Sequence, residues 1–356
     1  LQTVKADPVP INDAQAPALL TFTSGTTGQP KAIARSHDFL LNQHRVLHDH
    51  MPFRAGDVDL PTLPVFLLHS LASGATCVIA DADLKTVASV DPAPVIRQMI
   101  DHGITSTSGS PAFFRQLADH LIRSEAQLPS LRHIYTGGAR VPADLVDDLA
   151  RVLPETSIHV VYGSTEAEPI AVLDAREHRD ALLRSTHRGA LVGTPVPAIK
   201  LRIDPIQDGQ PFGEIWVAGP HVNPGYLDNP EADAAHKVQD GDTLWHRTGD
   251  VGQMDDQGQL WLVGRVGESV GGLWPLVVEG TAEAMPFVKK AGLVEVMGRA
   301  IMAVELSHPP EDWMNVLHDH TKAEPVQVEA IPVDARHNAK VDRVKLARML
   351  TAILAG

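Results

Sequence analysis

The chain has 356 residues, 44% apolar and 21% charged, which is enough for two cores and too evenly mixed for a disordered or membrane-spanning chain. Lys and Arg number 30 against 44 Asp and Glu, and the formal net charge of -14 disfavours sequence-independent nucleic-acid binding. The single cysteine, Cys77, excludes an intrachain disulfide framework and a cysteine-based zinc site, and fits a reducing cytoplasm.

The chain opens Leu1-Gln2-Thr3 without a basic and then apolar leader, so no signal peptide is expected and an upstream segment is. Residues 21–31, Thr-Phe-Thr-Ser-Gly-Thr-Thr-Gly-Gln-Pro-Lys, interleave small hydroxyl side chains with glycine. Such a loop leaves backbone N–H groups open to phosphate oxygens, and a closing lysine adds a point charge. It is not the common phosphate loop, which needs Gly-Lys followed by Ser or Thr. A Ser/Thr/Gly-rich loop is by itself more often a plain connector, but eleven residues of this composition ending in Pro-Lys are not.

From residue 76 to about 165, short β-rich runs alternate with helical stretches. Strands are expected at 76–80, 104–107, 133–136 and 157–161, with helices at 94–102, 111–122 and 142–152. That alternation argues an α/β layer on a largely parallel sheet. After residue 190 the pattern becomes β-rich, with strands at 200–203, 214–218, 243–246 and 260–263 separated by Gly, Pro and Asp turns. Asp255-Asp256-Gln257-Gly258 reads as a hairpin turn. Glycines 264, 267, 271 and 272 suggest a hinge, after which a small α+β unit begins. It comprises a helix at 277–285, a hairpin at 288–306 turning at Gly298, a helix at 311–320, a strand at 326–331 and a helix at 341–354.

Among the 18 histidines, His44, His48 and His50 share a helical stretch. His44 and His48 have a metal-compatible spacing but no His-Glu-x-x-His pattern or acidic third ligand, so a solvated face is expected. No Gly-x-Ser-x-Gly elbow is present.

The 21–31 stretch resembles the phosphate-binding signature of the adenylate-forming superfamily of acyl- and aryl-CoA synthetases, peptide-synthetase adenylation domains and luciferases. Further stretches resemble that superfamily's motifs in its order: Tyr162-Gly163-Ser164-Thr165-Glu166, then Gly213-Glu214-Ile215 through Gly225-Tyr226-Leu227. His246-Arg247-Thr248-Gly249-Asp250 with Gly264-Arg265 follows, and Lys340-Val341-Asp342-Arg343 closes the series. The resemblance implies an α/β fold: a large multi-subdomain AMP-binding core at 1–266, truncated at its start, and a small mobile α+β lid at 267–356. Members normally carry a substantial segment before the loop, where this chain has only residues 1–20.

Roles follow from the resemblance residue by residue. Thr23, Ser24, Gly25, Thr26, Thr27, Gly28 and Lys31 would cradle ATP phosphates. Gly137, Gly138 and Ala139 would wall the adenine, and Tyr162 and Gly163 would lie against the nucleotide. Thr165 and Glu166 would serve catalysis, with Glu166 holding Mg²⁺. Asp250 would accept hydrogen bonds from both ribose hydroxyls, with Arg265 nearby, and Glu268 would be the hinge acid. Lys340 would reach from the lid to the α-phosphate as charge builds. Without the resemblance, the 162–166 stretch reads as a surface turn, Asp250 as a turn residue and Lys340 as an exposed lysine at a helix end. His69 would be the histidine that lines the acyl pocket.

The implied activity is ATP-dependent, AMP-forming activation of a small-molecule carboxylic acid, fatty or hydroxy-fatty, in the cytoplasm, beside partner enzymes of the same pathway. Coenzyme A is the family's commonest acceptor. Arg336-His337-Asn338-Ala339-Lys340 and the short hinge resemble β-lactone synthetases of olefin biosynthesis, in which a β-hydroxyl closes on the activated acid. Ala339 replaces the usual glycine, and residues 269–275 lack the usual Ile-Lys pair. The third reading is a nucleotide-binding remnant without activity.

Overall fold

The computed structural model describes residues 13–23, 31–184, 188–206, 210–333 and 340–355. Ser24 to Gly28 and the 336–339 stretch therefore lie outside the described residues. An antiparallel pair, β1 (Pro17–Thr23) and β2 (Lys31–Ser36), comes first, with Thr23 opposite Lys31. Ser36 then caps α1 (His37–His50) by accepting from the Phe39 N–H at 3.1 Å, which satisfies one donor of the first turn.

The α/β layer consists of β3 (Val58–Pro61), α2 (Pro64–Ala72), β4 (Thr76–Cys77), a 3-10 turn at Leu84–Ser89, α3 (Pro92–Asp101), β5 (Ser106–Gly109), α4 (Pro111–Ser124), β6 (His133–Gly137), α5 (Ala143–Val152) and β7 (Ser157–Ser164). Side-chain caps and a first-turn proline set two of the helix starts: Asp91 before Pro92 and Ser110 before Pro111. The sheet order β4-β3-β5-β6-β7 is parallel throughout. The strand expected at 76–80 shrinks to two residues because β4 is an edge, with only Thr76 and Cys77 in register with β3.

The chain then turns at Thr165-Glu166 into β8 (Ala167–Asp174), antiparallel to β7. There follow α6 (Arg179–Arg184), β9 (Ala190–Pro195), β10 (Lys200–Pro205), β11 (Gly213–Ala218), α7 (Pro230–His236), β12 (Lys237–Asp240), β13 (Thr243–Met254) and β14 (Leu260–Arg265). The β-rich half is not a separate sheet, because β8 pairs β9 and β9 pairs β14, so one 12-stranded sheet runs through both halves. Asp255 makes the expected turn, its Oδ1 accepting from Gln257 N and Gln259 N. One apolar cluster packs α3, α4 and α5 on the parallel strands, and another lies among β8, β9, β11 and β14.

The C-terminal unit has α8 (Pro275–Glu283), β15 (Val288–Val296), β16 (Arg299–Leu306), α9 (Trp313–Thr321), β17 (Glu324–Gln327) and α10 (Arg343–Ala355). Its sheet order is β15-β16-β17, and the hairpin turns through Met297 and Gly298, both at positive φ. Two apolar clusters fill its faces, one centred on Leu293 and Met302 and the other on Ile301 and Leu346. No helix among the described residues is long and apolar enough to cross a membrane.

Candidate active site

The ends of β6 and β7 meet where backbone contact leaves no room for side chains. A Cβ on Gly137 would lie 2.1 Å from the Val161 carbonyl oxygen, so only glycine allows this register, Gly137 opposite Val161. Gly138 follows at positive φ, and Ala139 is half-buried. Next to them Arg140 forms an ion pair with Glu283 of α8, joining this strand end to the C-terminal unit.

Tyr162 lies near the end of β7 and is only 8% exposed. Its hydroxyl donates to Asp250 Oδ2 at 2.7 Å. Burial, reinforced by the Asp250 charge, holds that phenol well above its ordinary pKa, so it stays a donor. Asp250 sits on β13 directly opposite Arg265 of β14, and the guanidinium Nε stands 3.5 Å from Oδ1. Arg265 also donates to the Thr248 carbonyl at 3.2 Å, and the Asp250 N–H donates to Thr248 Oγ1 at 3.0 Å. Gly249 between them is at φ +73, and a Cβ there would meet Arg265 Nη2 at 2.9 Å.

The second cluster forms around the β7–β8 turn. Thr165 and Glu166 are half-buried at its tip. The Thr165 carbonyl accepts from Arg35 Nη2 at 2.7 Å, and Arg35, buried, also donates to Gln43 Oε1 at 3.0 Å. Gln43 in turn donates to the Glu168 carbonyl at 3.0 Å, so β2 and α1 pin the turn from behind. Burial pushes the Glu168 carboxyl up to about 7, with Arg35 acting against it. Glu166 Oε1 accepts from the Tyr226 hydroxyl at 2.9 Å, and the Glu166 carbonyl accepts from Asn223 N at 2.7 Å. Lys31 Nζ lies 5.2 Å from the centre of the Tyr226 ring and Lys237 Nζ 5.7 Å from it. The Lys237 ammonium donates to the Asn223 carbonyl, and burial lowers its pKa to about 8 although Glu166 and Asp233 oppose the shift. Lys31 is likewise lowered by burial, with Glu166 raising it and Arg265 lowering it further.

Of the residues the sequence singles out, Asp250 and Arg265 were expected side by side; the structure adds Tyr162 to that pair and gathers Lys31 and Glu166 around Tyr226. Tyr226, His236, Lys237 and Arg35 were not among the candidates. Tyr226 stood inside a quoted motif without a role, and the other three carry no local signal. Tyr162, expected to offer its ring, is instead mostly enclosed and presents its hydroxyl to Asp250. The histidine face of α1 is not simply solvated: His44 Nδ1 lies 3.0 Å from His69 Nδ1 on α2. His69, 2% exposed, also bonds the Met51 carbonyl at 3.0 Å, so it packs α2 against α1.

On the C-terminal side, Lys340 is exposed just before α10. Three residues on, Arg343 donates to Glu279 Oε1 at 2.5 Å and to the Leu293 carbonyl at 2.9 Å, with Glu268 Oε2 3.7 Å away. Burial alone would lower this guanidinium, but Glu279 and Glu268 outweigh it and raise its pKa. Glu268, the expected hinge acid, therefore faces the segment that carries Lys340. Gly271 and Gly272, at positive φ, form a tight turn closed by Val270–Leu273 backbone bonds of 3.0 and 2.9 Å rather than a loose strand. Among the described residues no group of three or more His, Cys, Asp or Glu could hold a metal ion by itself.

The AMP-binding enzyme family profile matches residues 2–227. An olefin β-lactone synthetase of Stenotrophomonas maltophilia is 34% identical over 96% of this chain and 68% of its own length. A long-chain-fatty-acid–CoA ligase of Thermus thermophilus is 30% identical over 82% of the chain, which spans 56% of that protein. Among solved structures, the amide bond synthetase McbA of Marinactinospora thermotolerans superposes with a TM-score of 0.78 at 26% identity, covering 97% of this chain and 72% of that one. With the motifs in order and two of their carboxylates held in tyrosine-bonded clusters, the chain belongs to the AMP-binding enzyme family, the adenylate-forming superfamily of ligases and synthetases.

Proposed function

We propose that the protein activates a carboxylic acid with ATP, releasing pyrophosphate and forming an acyl adenylate. One observation carries this reading: Tyr162–Asp250–Arg265 and Tyr226–Glu166–Lys31 converge from stretches far apart in sequence, each pairing a carboxylate with a tyrosine donor and a cation. Asp250 uses one lone pair on Oδ2 for Tyr162, so both of its oxygens can still accept from a vicinal diol such as ribose. Gly137 and Gly138, without side chains, would let a purine lie against the backbone beside Ala139, and Thr23 and Lys31, opposite each other in register, would hold the two ends of the phosphate loop.

Glu166 suits Mg²⁺ only as a single carboxylate ligand, completed by phosphate oxygens and water, which is how Mg²⁺ ordinarily sits in nucleotide sites. When bound, the ion neutralises phosphate charge. Lys31 would hold the β- and γ-phosphates, and Lys340 would meet charge developing at the α-phosphorus, so both stabilise the transition state without moving a proton. Glu268, paired with Arg343, would act as the hinge acid of a lid beginning at residue 267.

The second reading, closure of a β-hydroxy acid to a β-lactone without coenzyme A, is favoured by the 34% identity to an olefin β-lactone synthetase over nearly the whole chain. The 269–275 segment supports it too, since it lacks the usual Ile-Lys pair and closes into a tight turn at Gly271–Gly272. The test is a screen of fatty acids and their 3-hydroxy analogues with Mg-ATP, with and without coenzyme A, products being identified by mass spectrometry. Acid-dependent AMP release supports activation, and loss of water from the hydroxy acid without coenzyme A selects lactone closure. Efficient thioester formation from the plain acid would reject the second reading, and ATP binding without turnover on any acid would favour the remnant.

A further inference from the structure

Lys31 is the last residue of the expected phosphate loop, yet its ammonium is already engaged: Nζ lies 2.7 Å from His236 Nε2. The other ring nitrogen of His236, Nδ1, donates to the Arg247 carbonyl at 3.3 Å. That donation puts the proton on Nδ1 and leaves the lone pair on Nε2 pointing at Lys31. Burial and then the Lys31 charge lower the His236 pKa, which keeps the ring neutral and able to accept. The ring also stands edge-on to Tyr226, centroids 5.9 Å apart, and the same tyrosine binds Glu166. His236 ends α7, whose N-terminus is capped by Asn229, and the next residue begins β12. Its position is therefore set by two elements independent of β2, which carries Lys31.

We infer that His236 is a positioning residue that holds the Lys31 ammonium in place for the pyrophosphate end of the nucleotide. An ammonium has three donors, and His236 takes one, leaving two for phosphate oxygens beside Glu166. A free lysine side chain would have to give up its rotamer freedom on binding, and His236 removes much of that cost beforehand. Among the described residues Asp250 and Tyr162, at the adenosine end, share no hydrogen bond or ring contact with His236, so its effect should be confined to ligands that carry β- and γ-phosphates.

This inference rests on the ATP-binding reading above, and the experiment separates the two. Calorimetry on the full-length protein with Mg²⁺ measures Kd for ATP, pyrophosphate and AMP in the parent, His236→Ala, His236→Gln, Lys31→Ala and the Lys31→Ala/His236→Ala pair. The expected result for His236→Ala is on the order of tenfold weaker ATP and pyrophosphate binding with AMP binding unchanged. His236→Gln, which restores an acceptor, should recover most of that loss, and His236→Ala should add nothing once Lys31 is removed. Equal weakening for AMP and ATP, additive losses in the double variant, or parental pyrophosphate binding by His236→Ala would overturn the inference while leaving the function standing. A parent that binds neither ATP nor AMP would overturn both.

Discussion

Two tyrosine–carboxylate–cation clusters, near enough for the Arg265 charge of one to act on Lys31 and Tyr226 of the other, are built differently. Tyr162, Asp250 and Arg265 all sit on strands of the main sheet, with Asp250 and Arg265 directly opposite in register. Tyr226 and Glu166 sit on loops and a hairpin tip, and are held by Asn223, Arg35 and two lysines rather than by a ladder. The first cluster is fixed by the backbone before any ligand arrives. The second is an electrostatic assembly whose geometry depends on side chains that a phosphate or a metal ion can redirect. A rigid reader suits an invariant sugar, and an adjustable one suits a triphosphate that loses two phosphates during the reaction.

Breaking the rigid cluster should do the most damage. Asp250→Ala removes both acceptors of the diol and strands the Tyr162 hydroxyl and Arg265, so ATP and AMP affinity should each fall about 100-fold. Parental AMP affinity in that variant, measured by calorimetry, would remove Asp250 from the site. Glu166→Gln should act more narrowly, weakening Mg-ATP on the order of tenfold and leaving metal-free AMP binding nearly unchanged. If both ligands weaken together, the two clusters are not separable. The smallest effects should come from the tyrosines, about three- to fivefold each, with Tyr162→Phe acting on AMP and ATP alike and Tyr226→Phe on ATP only.

These comparisons are also sensitive to pH, and the buried His69 is one of the groups through which acid acts on the fold. Burial, with His44 and His48 assisting and the Met51 carbonyl opposing, lowers its pKa from 6.5 to about 4. The unfolded chain binds this proton first, so the stability contribution is complete above pH 6.5 and is lost as pH falls through the window down to 4. The shift corresponds to at most about 3 kcal/mol. His69→Gln should flatten the fall in melting temperature between pH 7 and about pH 5. An unchanged slope would show that other groups cause it.

Much of this was legible in the sequence where the signal is local. Ser110-Pro111 announces a helix start, Asp255 to Gly258 a turn and Gly298 a hairpin, whereas the helix expected from residue 94 begins two residues earlier, at Pro92 behind its Asp91 cap. The motif residues Tyr162, Glu166, Asp250 and Arg265 could be named from resemblance. What escaped depends on long-range approach. The 162–166 stretch reads as a turn, but nothing local shows that β8 returns from it antiparallel to β7, so the hairpin that aims Glu166 is not visible in the sequence. His236 meets Lys31 from 205 residues away, and nothing near either position signals the pair. His44, His48 and His50 looked like a solvated face because a single helix cannot show that α2 packs against it through His69.

The central claim is adenylate formation, and ATP–pyrophosphate exchange measures it most directly. The account predicts that the full-length protein exchanges labelled pyrophosphate into ATP only when Mg²⁺ and a suitable carboxylic acid are both present. Lys340→Ala should slow that exchange ~100-fold while leaving the Kd for ATP within about twofold. Exchange that ignores the acid, or proceeds at the parental rate without the lysine, would contradict it.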